Sequence, residues 1–142
     1  FSKAYGLAGI RLGYGFAHDS LIENLMKVKV PFEPSLIAQS AGIAAIDDDL
    51  FLNETISINA NGLSFLKHEF EKMKIKQVPS SANFITTVWE SDERATEITE
   101  ALLGNGVIVR QLNSFGWPNC IRISVGLETE NQKCINSLIK IL

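Results

Sequence analysis

FSKAYGLAGIRLGYG, residues Phe1–Gly15, sets a lysine among small residues and glycines and follows it, eight positions on, with an arginine. A lysine amine, with a pKa of about 10.4 in water, is protonated and a poor nucleophile. Desolvation or neighbouring cations lower that value and let the amine form a Schiff base with an aldehyde. A hydroxyl such as that of Ser2 and a guanidinium such as that of Arg11 can hold a phosphate, the guanidinium fork matching two of its oxygens. Lys3, Ser2 and Arg11 together therefore suit an aldehyde that also carries a phosphate. The residues alone leave a plainer reading open, in which Lys3 is a solvated terminal residue and Arg11 an ordinary surface residue of a strand.

Continuing from that stretch, RLGYGFA, Arg11–Ala17, reads as a short buried strand with glycines where another backbone comes close. The next run, DSLIENLMKVK, reads as a helix with Ser20 and Glu23 at capping-box spacing. Pro31 and Pro34 break it, and Pro34 suits the first turn of a second helix through SLIAQSAGIAAI. Asp47–Asp49 form a solvated start for the next element. From Leu50 to Met73, Ile56, Ala60, Leu63, Leu66, Phe70 and Met73 recur in steps of three and four, one face of a long helix.

Beyond Gln77 the pattern changes. Pro79 and the serine pair mark a break before a strand at Asn83–Trp89. DERATEITEALLGNG reads as a helix with acids in its first turn, Ala95, Ile98 and Leu102 inside, and a Gly-Asn-Gly stop. VIVRQL and CIRISVG read as strands around the loop NSFGWPN. The last helix, TENQKCINSLIKIL, has Thr129 and Gln132 at capping-box spacing and Ile135, Leu138, Ile139 and Leu142 on one face. The element order is that of an α/β chain that ends in a small α+β unit.

The sequence has 142 residues, 46% of them hydrophobic, enough to bury a core. Thirteen basic residues against sixteen acidic ones, with no basic run, argue against nucleic acid or an anionic membrane as partner. Apolar runs are too short for a membrane span. Cys120 and Cys134 read as small buried hydrophobes, which suits a reducing compartment, and His18 and His68 are isolated, so no metal site is expected.

FSKAYGLAGIRLGYG closely resembles the cofactor-attachment motif of the fold-type I pyridoxal-phosphate-dependent aminotransferases: Ser-Lys, then Gly-Leu-Ala-Gly-Ile-Arg, then Gly-Tyr. Tyr5 and GLAGIR bring it nearest to the histidinol-phosphate aminotransferase branch. SSANFI at Ser80–Ile85, GVIVRQL at Gly106–Leu112 and NCIRISVG at Asn119–Gly126 match that branch in order, so the resemblance covers essentially the whole chain. It implies a C-terminal portion of such an enzyme. Residues 1–49 would be the end of the cofactor-binding large domain and its sheet, 50–76 a long connecting helix, and 77–142 the small α+β domain.

By the same resemblance, Lys3 would hold pyridoxal 5′-phosphate as a Schiff base and then act as the general base. Ser2 and Arg11 would bind the cofactor phosphate. Arg122 would grip the substrate's anionic end, the phosphate of histidinol phosphate or the carboxylate of glutamate and 2-oxoglutarate, with Arg110 as a second anion contact. Asn83 would orient the loop near Arg122 or touch substrate. Phe115 and Trp117 would pack their loop, with the imidazole pocket as an alternative, and Tyr5 and Tyr14 would pack beside the motif. A cytoplasmic enzyme of histidine biosynthesis, homodimeric when intact, is the expectation. The family's other cofactor contacts lie upstream of the lysine, so this chain alone is expected to be inactive. The competing expectations are an aromatic-amino-acid aminotransferase, a decarboxylase acting on a phosphorylated amino acid, and a non-catalytic small α+β domain.

Overall fold

Helical spacing governs the apolar residues up to Met73, and short β-branched runs dominate much of the chain beyond it. The computed structural model describes all 142 residues and keeps to that switch, with no strand before Lys76. The chain forms two units, Phe1–Ile56 and Ser57–Leu142, whose boundary falls inside its longest helix.

In the first unit a 3-10 turn at Ala8–Ile10 precedes α1 (Asp19–Val28) and α2 (Leu36–Ile46), and α3 (Asp49–Lys72) begins. The cap of α1 is His18, whose Nδ1 accepts the Ser20 N–H at 3.3 Å, and not the Ser20–Glu23 box that the spacing predicts. Pro34 stands outside α2, because Ser35 is its cap and accepts the Ala38 N–H at 3.2 Å. Asp48 Oδ1 accepts the Phe51 N–H at 3.0 Å, so the Asp run starts α3 as expected. Residues Arg11–Ala17 form no strand and, except for half-buried Leu12, are exposed. A strand needs a hydrogen-bonded neighbour to exist, and no segment of this chain pairs with them. A Cβ on Gly13 or Gly15 would meet nothing, so neither marks a close approach. The close approach is at Gly42 on α2, where a Cβ would collide with Leu12.

The second unit holds the rest of α3 and a four-stranded antiparallel sheet. Its strands are β1 (Lys76–Val78), β2 (Phe84–Val88), β3 (Arg110–Leu112) and β4 (Trp117–Ser124), in spatial order β1-β2-β4-β3. Between them come α4 (Asp92–Gly104) and, last, α5 (Glu128–Ile141). Leu66 and Phe70 of α3, Ile98 and Leu102 of α4, Ile121 of β4 and Ile135 and Leu138 of α5 are fully buried in one cluster. Ile56 and Ala60, expected on the buried face of α3, are exposed. The α4 stop is as expected: Gly106 takes φ 71°, and the Val107 N–H reaches back to the Leu102 carbonyl at 2.9 Å.

Three strands differ in extent from their sequence reading, β2 by one residue at each end of Asn83–Trp89. Only Arg110–Leu112 of VIVRQL pairs, while β4 extends back through Trp117. The cap of α5 also differs. Glu130 Oε2 accepts the Leu127 N–H at 2.8 Å, which displaces the expected Thr129–Gln132 box. Asn131 then turns inward, accepting the Gly126 N–H at 2.9 Å and donating to its carbonyl at 3.0 Å. That pins the buried stripe of α5 at Asn131, Cys134, Ile135 and Leu138, and leaves Ile139 and Leu142 exposed. Inside the sheet Trp89 Nε1 donates to Thr87 Oγ1 at 3.0 Å, and that hydroxyl donates to the Ile121 carbonyl at 3.2 Å.

Candidate functional site

The candidate residues fall into one group in each unit. In the first, the Gly6 N–H donates to the Lys3 carbonyl at 3.0 Å and the Leu7 N–H to the Phe1 carbonyl at 3.1 Å, folding the segment into a tight turn. Gly6 takes φ 67°, which glycine adopts without strain. Phe1 meets Tyr5 at a tilt and Tyr14 edge-on, with ring centroids 5.1 and 5.8 Å apart; Tyr5 is half-buried, whereas Tyr14 stays largely exposed and does not pack as expected. Lys3 is exposed, and its amine makes no hydrogen bond or ion pair within the chain. Ser2 is half-buried with its hydroxyl unpaired. Arg11 sits in the left-handed region at φ 57°, a conformation that costs a non-glycine residue about 1–3 kcal/mol. Its guanidinium donates to the Ala8 carbonyl at 2.7 Å and meets no carboxylate. An amine, a hydroxyl and a guanidinium, all free of protein acids, thus share one short folded segment.

In the second unit the sheet register brings together two residues that lie twelve apart in the sequence. Arg110 on β3 is the direct partner of Arg122 on β4, and Arg122 is in turn opposite Thr86 on β2. Directly opposed residues of antiparallel strands share a face, and like charges there are destabilising by up to about 1 kcal/mol. The chain does not relieve this with acids: its two ion pairs are Lys72–Glu69 and Arg94–Glu97. The Arg122 Nε is buried with no acceptor, an arrangement that costs about 1–3 kcal/mol. Each guanidinium instead lies over a phenylalanine ring, Arg110 over Phe115 and Arg122 over Phe84, both at 5.3 Å from the centroid.

Asn83 precedes Phe84 in an exposed position. Its side chain makes no hydrogen bond, and its carbonyl accepts the Val125 N–H at 2.9 Å, which starts the β2–β4 pairing. Phe115 and Trp117 are 60% and 54% exposed, so they do not bury their loop as a packed core would. Phe84 is a functional candidate that sequence reasoning misses. It lies inside SSANFI, but only the strand register puts its ring under Arg122.

The remaining reactive groups are sequestered. Both cysteines are free and buried. Burial pushes the Cys134 thiol up to about 11, and it raises Cys120 as well, against the opposing charge of Lys76. Neither is a nucleophile at neutral pH. No helix is long and apolar enough to cross a membrane.

Known proteins align with nearly the whole chain. The family profile described as aminotransferase class I and II matches residues 1–138. Histidinol-phosphate aminotransferase 2 of Ralstonia nicotianae is 42% identical over 139 residues, which are 97% of this chain and 37% of that protein. Histidinol-phosphate aminotransferase of Nitratidesulfovibrio vulgaris is 39% identical over 142 residues, which are 100% of this chain and 38% of that protein. The chain thus spans well under half the length of these relatives. Among solved structures, histidinol-phosphate aminotransferase from Sinorhizobium meliloti in complex with pyridoxal-5′-phosphate superposes with a TM-score of 0.90 at 29% identity, covering 99% of this chain and 39% of that one.

Proposed function

The chain belongs to the aminotransferase class I and II family, and from that premise we propose that it supplies the cofactor lysine and the substrate-anion grip of an enzyme that transaminates histidinol phosphate with 2-oxoglutarate and glutamate as the partner pair. The names of its relatives support that substrate. The single observation that carries the reading is the directly opposed Arg110–Arg122 pair, free of any protein carboxylate. Two adjacent guanidiniums without acids are stable beside a bound anion, and a phosphate dianion offers each of them an oxygen. A carboxylate fits the same forks, as the second half-reaction requires.

The donor set of the first unit fits pyridoxal phosphate, because an unpaired amine, a hydroxyl and a guanidinium held in a strained backbone answer its aldehyde and its phosphate. Bound, that cofactor supplies an aldehyde carbon for an amine and a ring that stabilises negative charge at the substrate's Cα. Ser2 and Arg11 hold phosphate oxygens. Lys3 Nζ would be the amine that holds the aldehyde and, once displaced by the amino donor, the base that takes the proton from the substrate's Cα and gives it up at the former aldehyde carbon. Arg122 and Arg110 would hold the anionic end of the substrate, and Asn83 keeps the start of β2 in place through its carbonyl. Residues 1–49 belong to the cofactor domain, 50–76 to a connecting helix and 77–142 to the small domain. The working enzyme is a cytoplasmic homodimer, and the apolar side chains exposed on α1 and α2 support burial in a larger assembly.

Reduction with borohydride in the presence of pyridoxal phosphate, followed by peptide mapping, tests the first group: the label is expected on Lys3, and label elsewhere or none removes the assignment. An assay of histidinol phosphate against phenylalanine tests the second, with the higher kcat/KM expected for histidinol phosphate. A preference for phenylalanine would select an aromatic-amino-acid aminotransferase, a reading favoured by the exposed Phe115 and Trp117.

A further inference from the structure

Resting on that reading of the arginine pair, we propose that Phe115 and Phe84 are positioning residues, each supporting one guanidinium by a ring face without using up its N–H groups, so that the pair can meet the oxygens of one anion. Four observations combine. Both guanidiniums lie at the same 5.3 Å from a ring centroid, within the range of a cation–π contact. Neither makes a hydrogen bond or an ion pair with the protein, so the ring is the partner that fixes each one. The rings come from unrelated places: Phe84 is the diagonal cross-strand neighbour of Arg122 on the same sheet face, whereas Phe115 lies five residues after Arg110 around a turn. Phenylalanine also has no acceptor, so it can hold a guanidinium without using up any N–H.

The Phe115 side of the arrangement is built to be rigid. Residues Asn113–Phe115 form a 3-10 turn that ends at Gly116, φ 77°, and a bulge between Gln111 and Leu112 lets Leu112 pair with Trp117. The Gln111 amide clamps that loop, one N–H donating to the Pro118 carbonyl at 2.7 Å and the other shared between Thr96 Oγ1 at 3.0 Å and the Asp92 carbonyl at 3.3 Å. The loop is thereby tied to the start of α4, and Phe115 is held where Arg110 needs it. A guanidinium kept in place before binding spares the anion the cost of ordering it.

Phe84 is half-buried and starts a central strand, so its replacement risks the fold. Phe115 is exposed and carries the test. Inorganic phosphate is titrated into the full chain while the Nε–H signals of Arg110 and Arg122 are followed by 15N NMR, which separates this site from phosphate held at Arg11. Phe115→Leu is expected to weaken phosphate binding at the pair about threefold to tenfold and to sharpen the Arg110 signal through faster motion. Phe115→Tyr, which keeps the ring, is expected to restore both, a rescue that a general packing role would not predict. Unchanged affinity in Phe115→Leu beside a loss in Arg110→Gln would overturn the platform and leave the anion site standing. Failure of Phe115→Tyr to restore binding would overturn it too. If phosphate shifts neither arginine signal in the unaltered chain, the platform falls together with the anion site itself.

Discussion

The two units put their apolar residues to opposite uses. Ser57–Leu142 closes a core, with Leu66, Phe70, Ile98, Leu102, Ile121, Ile135 and Leu138 all under 2% exposed. Phe1–Ile56 has comparable raw material, yet only Ala38 and Gly42 of its residues are buried. On α1 the stripe Leu21, Ile22, Leu25 and Met26 faces solvent at helical spacing, and Phe16 and Phe32 are almost wholly exposed. An amphipathic pattern therefore says which side of a helix is meant to be covered, and not that its own unit covers it. The chemistry is distributed the other way round. The less buried unit carries the lysine proposed to take the cofactor, while the packed unit carries the proposed anion grip. A grip must hold its shape, and a sheet row anchored in a core provides that.

The largest test of the contrast separates function from folding. Lys3→Ala is expected to abolish labelling and to cut transamination in the assembled enzyme by about a hundredfold to ten-thousandfold. Because Lys3 is exposed and unpaired, the unfolding midpoint should not move, and a coincident fall in Tm would mean that Lys3 is structural. Next comes the core. Phe70→Ala is expected to lower the stability of the second unit by about 3–5 kcal/mol, against under about 0.5 kcal/mol for Leu25→Ala on α1. Urea titrations followed by circular dichroism read both, and equal losses would erase the difference between the units.

The pH dependence comes third. Folding raises the Cys134 thiol from its ordinary 9.0 to about 11, because burial penalises the thiolate. A group raised on folding adds stability that is full below its unfolded value and lost as pH climbs through the folded one. The second unit should therefore weaken between about pH 9 and 11, and Cys134→Ala should flatten that part of the profile while Cys120 remains. A profile unchanged by the substitution would exclude the thiol as its cause. The smallest effect is at a cap. Ser91 Oγ accepts the Arg94 N–H at 3.2 Å, and Ser91→Ala is expected to cost about 1 kcal/mol, read as a modest drop in Tm.

Long periodic segments are legible in the sequence. Ala95, Ile98 and Leu102 are fully buried, as their spacing predicts, because a helix makes its hydrogen bonds within itself and needs only one covered face. Features that depend on a distant partner are not legible. Arg11–Ala17 has the composition of a buried strand and no neighbour in the chain to pair with. The caps at His18 and Leu127–Glu130 go to competitors close to the expected ones, a margin that local spacing does not resolve. At the site, Lys3, Ser2 and Arg11 can be read from one short string. The opposition of Arg110 to Arg122 cannot, since it depends on the bulge at Gln111/Leu112 and the left-handed Gly116. The ring beside Arg122 depends on the separate β2–β4 register, and the ring beside Arg110 on the turn at Asn113–Phe115.

The two tryptophans end up in contrasting surroundings. Trp89 is 8% exposed and hydrogen-bonded inside the sheet, whereas Trp117 is half in water on the strand that also carries Arg122. Their fluorescence should therefore resolve into a blue component and a red one. The blue emitter reports whether the core of the second unit is intact, and the red one reports whether the β3–β4 turn keeps Leu112 paired with Trp117. A single sample then carries one gauge for the core and another for the turn that holds Phe115, without an added dye.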